Sequence, residues 1–309
     1  MKSKTKWVFI IVVLIILTMI SFIVVGIISL FIGLDIEAIS GNVALIPVKG
    51  LISAGNGEGL FAEEVASSTE IVEFIEKADK NPNIKAMIFE INSPGGSAVA
   101  SEEIANAIKK TNKTTVAWIR EVGASGAYWV ASSSDYIVAN RMSITGSVGV
   151  IASYLEFADL LQEYNVTYQR LVAGEYKDIG SPLKELSKDE KRILQEKLDV
   201  IHGFFIDEIA KNRRLPRSKA EEFSSGVFYI GSEAKDLGLV DILGGKEEAI
   251  KIIEKKLNIT VKLAEYKREK TLLDVLSKLF HENSFFVGKG IGSAFFDKAK
   301  TPNSLNVYT

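Results

Sequence analysis

The sequence predicts an α/β fold with parallel strands, preceded by one N-terminal transmembrane helix. Two observations carry this. From Val43 onward, short apolar runs of strand length alternate with helical patterns, and repeated strand–turn–helix–strand units imply parallel strands joined by right-handed crossovers. Ahead of them, Trp7 to Leu34 carries no charge and is mostly Ile, Val, Leu and Phe. As a helix that run is about 42 Å long, enough to cross a bilayer core of about 30 Å with tilt. The chain has 309 residues, room for one or two domains and a sizeable core.

The elements follow in order. Lys2, Lys4 and Lys6 precede the apolar run, and Asp35 and Glu37 follow it. The positive-inside rule therefore places residues 1–6 in the cytoplasm and everything after the run outside. A cleaved signal peptide would have an apolar region of only about 7–15 residues and a small-x-small site. The reading is a retained anchor over 7–34, a single pass through the cell membrane. Residues 36–270 then form an extracytoplasmic domain, and 271–309 a tail with an apolar helix. Within the domain, strands are expected at Val43–Val48, Ile84–Ile91, Thr114–Ile119, Tyr136–Ala139, Val166–Val172 and Val261–Tyr266. Helices are expected at Phe61–Lys80, Ala98–Lys110, Ala127–Ser133, Ser187–Arg214, Ser218–Phe223 and Gly244–Leu257. Ser187 with Glu190 three residues on resembles a capping box.

Composition removes several chemistries. There is no cysteine, which excludes disulfides, thiol catalysis and Cys-based metal sites. The two histidines, His202 and His281, lie in the long helix and the tail, away from any Gly-rich loop. A net charge of −2 argues against nucleic acid bound through a broad basic surface. No phosphate loop and no H-E-x-x-H is present, and no metal or organic cofactor is expected.

Four Gly- and Ser-rich turns remain. Phe89–Ser97 runs from a buried strand into Ser93-Pro94-Gly95-Gly96, where two glycines let amides converge on a developing negative charge. Val122–Tyr128 places Ser125 and Gly126 between a strand and a helix N-terminus; the helix field there favours an alkoxide, and an ordinary Ser N-cap would look the same. Leu171–Pro182 carries Lys177 in a Gly-flanked loop; a lysine becomes a general base only where burial favours its neutral form, and a solvated lysine is the plainer alternative. Met142–Val150 holds Ser147 between two glycines, either a hydroxyl that orients a base or a turn residue. If Ser125 is a nucleophile, a lysine is its most economical partner, a known variant of the serine design.

In this order, Asn92–Gly96, Ala124–Trp129, Ile144–Val150, Gly174–Asp178 and Gly238–Gly245 closely resemble the signal peptide peptidase A family of bacterial membrane-anchored serine proteases, in its short form. The similarity covers about residues 40–260 and the anchor. It implies a Clp-protease/crotonase-like fold of stacked βαβ units. It implies Ser125 as nucleophile, Lys177 as general base, Ser147 as the serine that orients the lysine, and an oxyanion hole from the Gly126 amide with that of Gly96 or Gly95. It also implies remnant signal peptides as substrates. The assembly it implies is a homo-oligomer, an octamer in the short form, whose sites take serine and lysine from neighbouring subunits. Ala127 stands where a second glycine is usual, and Met142 where proline is common. Three alternatives stay open: a related protease acting on whole membrane proteins, a crotonase-like acyl-thioester enzyme, and a non-catalytic peptide-binding scaffold. Peptide cleavage separates the last two from a protease.

Overall fold

The computed structural model describes residues 7, 12–24, 26, 41–55 and 65–267. The tail helix and residues 61–64 of the expected first helix lie outside them. Among the described residues no helix is long and apolar enough to cross a membrane. Residues 12–24 are helical, and every side chain among them is exposed.

The domain is built on strands that pair in parallel, except that Ile144–Gly146 runs antiparallel to Phe228–Ile230. In chain order these are β1 (Val43–Lys49), β2 (Leu51–Ser53), β3 (Val65–Ser67), β4 (Ala86–Ser93), β5 (Thr114–Ala124), β6 (Tyr136–Ala139), β7 (Ile144–Gly146), β8 (Phe228–Ile230), β9 (Ile242–Leu243) and β10 (Leu263–Glu265). The main sheet runs β10-β1-β4-β5-β6-β9, with every one of these pairs parallel. The helices are α1 (Ser68–Lys80), α2 (Ala98–Lys110), α3 (Gly126–Ser132), α4 (Ala158–Glu163), α5 (Lys188–Arg213), α6 (Arg217–Glu222), α7 (Gly231–Asp236) and α8 (Lys246–Leu257).

The strands are apolar on both faces because both faces are covered. In β1 and β4, Ala44, Ile46, Val48, Met87, Phe89 and Ile91 join the larger core beneath α1, α2 and α3. The alternate residues Val43, Leu45, Ala86 and Ile88 meet Ala249 and Ile253 of α8. This is the period of two expected of strands, filled by apolar residues on either side. The larger core also takes in α5, where Phe205 stacks on Trp129 of α3 with ring centroids 4.9 Å apart.

Two departures from the sequence reading are instructive. The expected helix over 61–80 begins only at Ser68, because Val65–Ser67 pairs with Leu51–Ser53 and Ser67 then caps α1. Val166–Val172, expected as a strand, has no ladder partner among the described residues. It belongs to an arm over residues 151–183 whose side chains are mostly exposed. Its β-branched composition favours an extended chain, but strand pairing needs a neighbour that the fold does not supply there.

The Gly238–Gly245 motif serves the framework. Asp241 accepts the Ile137 amide at 2.7 Å and pairs with Arg213 of α5 at 2.5 Å. Arg213 also donates to the Gly238 carbonyl. Tyr128 of α3, fully buried, donates to the Leu239 carbonyl at 2.9 Å, and burial pushes its phenol up in pKa, so it remains a neutral donor.

Candidate active site

The site sits where β4, β5 and β7 end. Along β4 and β5 the register holds from Ala86↔Thr114 to Ile91↔Ile119, then resumes at Ser93↔Gly123. Between those pairs β5 takes four steps to β4's two. The bulge re-aims the end of β5, as bulges near sites do. Polar groups hold it: the Val122 amide donates to the Asn92 side chain at 3.1 Å, Thr145 Oγ1 donates to the Gly123 carbonyl at 2.8 Å, and the Ser143 hydroxyl donates to the Arg120 carbonyl. Past the bulge, Val122–Ala124 pairs with Ile144–Gly146 instead of β6. The ends of β5 and β7 therefore lie side by side, and each leads into a serine.

Both serines are strained. Ser125 has φ 53° and ψ −127°, and Ser147 has φ 51°. A non-glycine residue at positive φ is uncommon, and such strain clusters at functional sites. Ser125 is pinned by its own amide, which donates to the Gly146 carbonyl at 2.8 Å. Its hydroxyl makes no cap bond to α3, so the ordinary N-cap alternative does not hold. The Ser147 amide donates to the Val227 carbonyl at 3.1 Å, and its hydroxyl donates to the Gly226 carbonyl at 3.0 Å.

The glycines are required by close approach. A Cβ on Gly95 would lie 2.7 Å from the Gly126 nitrogen and 2.9 Å from Ser125 Cβ. One on Gly96 would lie 2.1 Å from the Ile52 carbonyl oxygen, and one on Gly126 would lie 2.3 Å from Ser101 Oγ and 3.4 Å from the Gly96 nitrogen. The Gly95 amide is committed to Ser93 Oγ at 3.1 Å. The Gly95 carbonyl accepts the Ile52 amide, and the Ser97 amide donates to the Ile52 carbonyl. The amides of Gly96 and Gly126, by contrast, have no hydrogen-bond partner among the described residues. Two free donors thus stand next to one strained hydroxyl, at the start of a helix whose N-terminal end favours negative charge. Ala127 is fully buried without strain on the backbone, so the fold accepts alanine there.

Lys177 is not bonded to either serine in this single chain. It occupies an exposed turn of the arm, its amide bonded to the Gly174 carbonyl at 3.2 Å. Its ammonium makes no hydrogen bond or ion pair with a described residue. His202 sits on α5 with its Nε2 buried and without a hydrogen-bond partner among the described residues. His281 lies outside them. A cavity of about 590 Å³ opens beside the bulge, lined by Trp118, Val122, Met142 and Ile144 among others.

The profile of peptidase family S49 matches residues 107–260, and one relative resembles the chain over most of its length. A protein of Methanocaldococcus jannaschii that bears the name of a protease is 32% identical over 247 residues, covering 79% of each chain. The chain belongs to peptidase family S49. It is a serine peptidase of the signal peptide peptidase A and Protease 4 type. An S49 relative in Enterococcus faecium named for signal peptide peptidase SppA is 30% identical over 77% of this chain and 70% of its own. The Arabidopsis thaliana protein named Serine protease SPPA, chloroplastic, is 31% identical over 85% of this chain but only 38% of its own.

The sequence reading assigns no role to Ser101, Asn92 or Asp178. Ser101, which closes the space behind Gly126, was hidden in an ordinary helical run. Asn92 stood inside a motif already singled out, but its role needs the bulge. Asp178 stands beside Lys177 inside a motif already singled out, and its pairing with Arg170 and Lys184 shows only in the folded arm.

Proposed function

We propose that this peptidase is a membrane-anchored endopeptidase that cleaves remnant signal peptides with a Ser125–Lys177 dyad. The observation that carries the reading is the strained Ser125 beside the two uncommitted amides of Gly96 and Gly126. In the proposed mechanism the Lys177 amine takes the Ser125 proton, and Ser147 orients that amine. The Ser125 oxygen attacks a peptide carbonyl, and the oxyanion is held by the Gly96 and Gly126 amides. Gly95 is left out, since its amide is already used. The peptide nitrogen leaves with the proton from Lys177, and water then resolves the acyl-enzyme.

The exposure of the arm that carries Lys177 favours a site completed by a second copy of the chain. The arm displays Ile151, Leu155, Tyr164 and Leu171 at 88%, 74%, 72% and 96% exposure, which is more apolar surface than a free arm would carry. On this reading the arm of one subunit brings Lys177 to Ser125 of its neighbour, in a closed ring. The sheet with its ordered crossovers fits the Clp-protease/crotonase-like class. The helical, exposed and mostly apolar residues 12–24 fit an anchor in lipid, and Thr18 satisfies its hydroxyl on the Leu14 and Ile15 carbonyls, as lipid requires. The cavity lined by Val122, Met142 and Ile144 suits apolar side chains of such substrates.

The test is cleavage of a fluorogenic apolar peptide by the full chain in detergent, compared with Ser125→Ala and Lys177→Ala. Both variants are expected to lose activity by at least about 10³-fold while remaining folded, and native activity is expected to rise toward alkaline pH. Full activity in Lys177→Ala would remove the lysine from the mechanism, and inert native protein would favour the scaffold alternative. Cleavage of intact membrane proteins in preference to signal peptides would reassign the substrate.

A further inference from the structure

The arm that carries Lys177 contains one set of charges that is both paired and shielded. Arg170 grips Asp178 with two bonds, Nε to Oδ2 at 2.7 Å and Nη2 to Oδ1 at 3.0 Å. The same Nη2 donates to the Glu175 carbonyl at 2.8 Å. Lys184 bridges Asp178 at 3.2 Å and Glu190 at 2.5 Å. Glu190 is the third residue of α5, where it accepts the Ser187 amide at 2.9 Å and completes the capping box. Asp178 and Glu190 side chains are only 12% and 6% exposed, on an arm that is otherwise open to solvent. Between these anchors the chain turns tightly: Lys177 bonds to Gly174, Ile179 to Tyr176 and Ser181 to Asp178.

From this geometry we infer that Asp178 is the positioning residue for Lys177, fastening the lysine's turn to the N-terminus of α5, and that Arg170 and Lys184 keep the Asp178 carboxylate from pairing with Lys177. The inference rests on the reading of Lys177 as the base. Its two halves have separate physical reasons. A bidentate pair plus a buried capping box fixes an otherwise exposed turn, where a single surface ion pair would contribute almost nothing. A carboxylate one residue from a lysine would favour the ammonium, the wrong form for a base. Here both oxygens of Asp178 are already occupied. The cluster sums to no net charge: Arg170 and Lys184 against Asp178 and Glu190. Other groups facing this turn are Tyr168, Glu175 and Tyr176 on the arm itself, and Asp189 and Arg192 from α5. None of these is bonded to Lys177.

The experiment measures kcat, KM and the pH–rate profile of the full chain in detergent for Asp178→Asn, Arg170→Met and Lys177→Ala, with oligomeric state and Tm recorded for each. Asp178→Asn is expected to lower kcat by about 10- to 100-fold with KM little changed, the cost of a misplaced catalytic group. Arg170→Met frees one side of Asp178, so the rise of activity with pH is expected to move upward by about half a pH unit or more. Arg170→Lys, which keeps one bond and the charge, is expected to restore most of that position. A purely structural network would change Tm without moving the profile. If Lys177→Ala is inactive while Asp178→Asn keeps its kcat or Arg170→Met leaves the profile in place, the inference falls and the dyad stands. If Lys177→Ala is active, the base assignment falls and takes this inference with it.

Discussion

Ser125 owes its uncapped hydroxyl to a backbone angle that most residues avoid. At φ 53° the chain turns sharply from β5 into α3, and the hydroxyl is left without a cap bond. Such strain costs about 1–3 kcal/mol and persists only where neighbours enforce it. The Gly146 carbonyl and the close packing of Gly95 are those neighbours. Gly126 is held tight by a side chain, because a methyl group there would meet Ser101 Oγ at 2.3 Å. Gly126→Ala is therefore expected to push the N-terminus of α3 off its position and lower kcat by about 10²–10³-fold, the effect of losing one oxyanion donor. Ser101→Gly in the same chain removes the clash and is expected to recover part of the loss, as kinetics on the double variant would show.

At the scale of elements, α3 and α5 decide whether the serine turn is firm. Trp129 stacks on Phe205, Asn212 donates to Ser132 and Ser133, and Arg213 closes the end of α5 on Asp241 and Gly238. The Arg213 side chain is only 9% exposed. Removing its partner strands a buried guanidinium, which costs about 3 kcal/mol. Asp241→Ala is expected to lower Tm by roughly 6–12 °C in a melting curve, with a smaller effect on KM. The same pair also fixes β6, because Asp241 accepts the Ile137 amide. This explains why a motif over a hundred residues from Ser125 belongs with the active-site motifs.

For the whole molecule, the proposed ring makes a prediction no single chain could satisfy. Ser125→Ala and Lys177→Ala subunits, each inactive alone, are expected to regain activity when co-assembled. If each site takes its serine and its lysine from different copies at random, about a quarter of the sites are complete in an equal mixture, as a closed ring of heterologous interfaces allows. A mixture as inactive as its components would place both residues in one subunit. Size-exclusion mass measurement on the same sample reports whether the ring itself has formed.

Much of this protein was legible in the sequence by itself. Short continuous apolar runs at Val43–Val48 and Ile84–Ile91, alternating with helical patterns, identified buried parallel strands, since a strand covered on both faces is apolar throughout. Ser187 and Glu190 announced the start of α5 through a local rule that needs no distant partner. The turns holding Gly96, Ser125 and Ser147 were visible because glycine and serine at strand ends have a short-range signature. What needed the tertiary structure was every relation between distant segments. Only the bulge in β5, held by Asn92, brings Ser125 beside Gly96. Only the hydrogen bond from Gly95 to Ser93 separates two adjacent glycines that sequence treats alike. The arm over 151–183 read as containing a strand because β-branched residues carry no information about whether a pairing edge exists. Local patterns determine which conformation a segment prefers; which segments meet is decided by packing across the whole sheet.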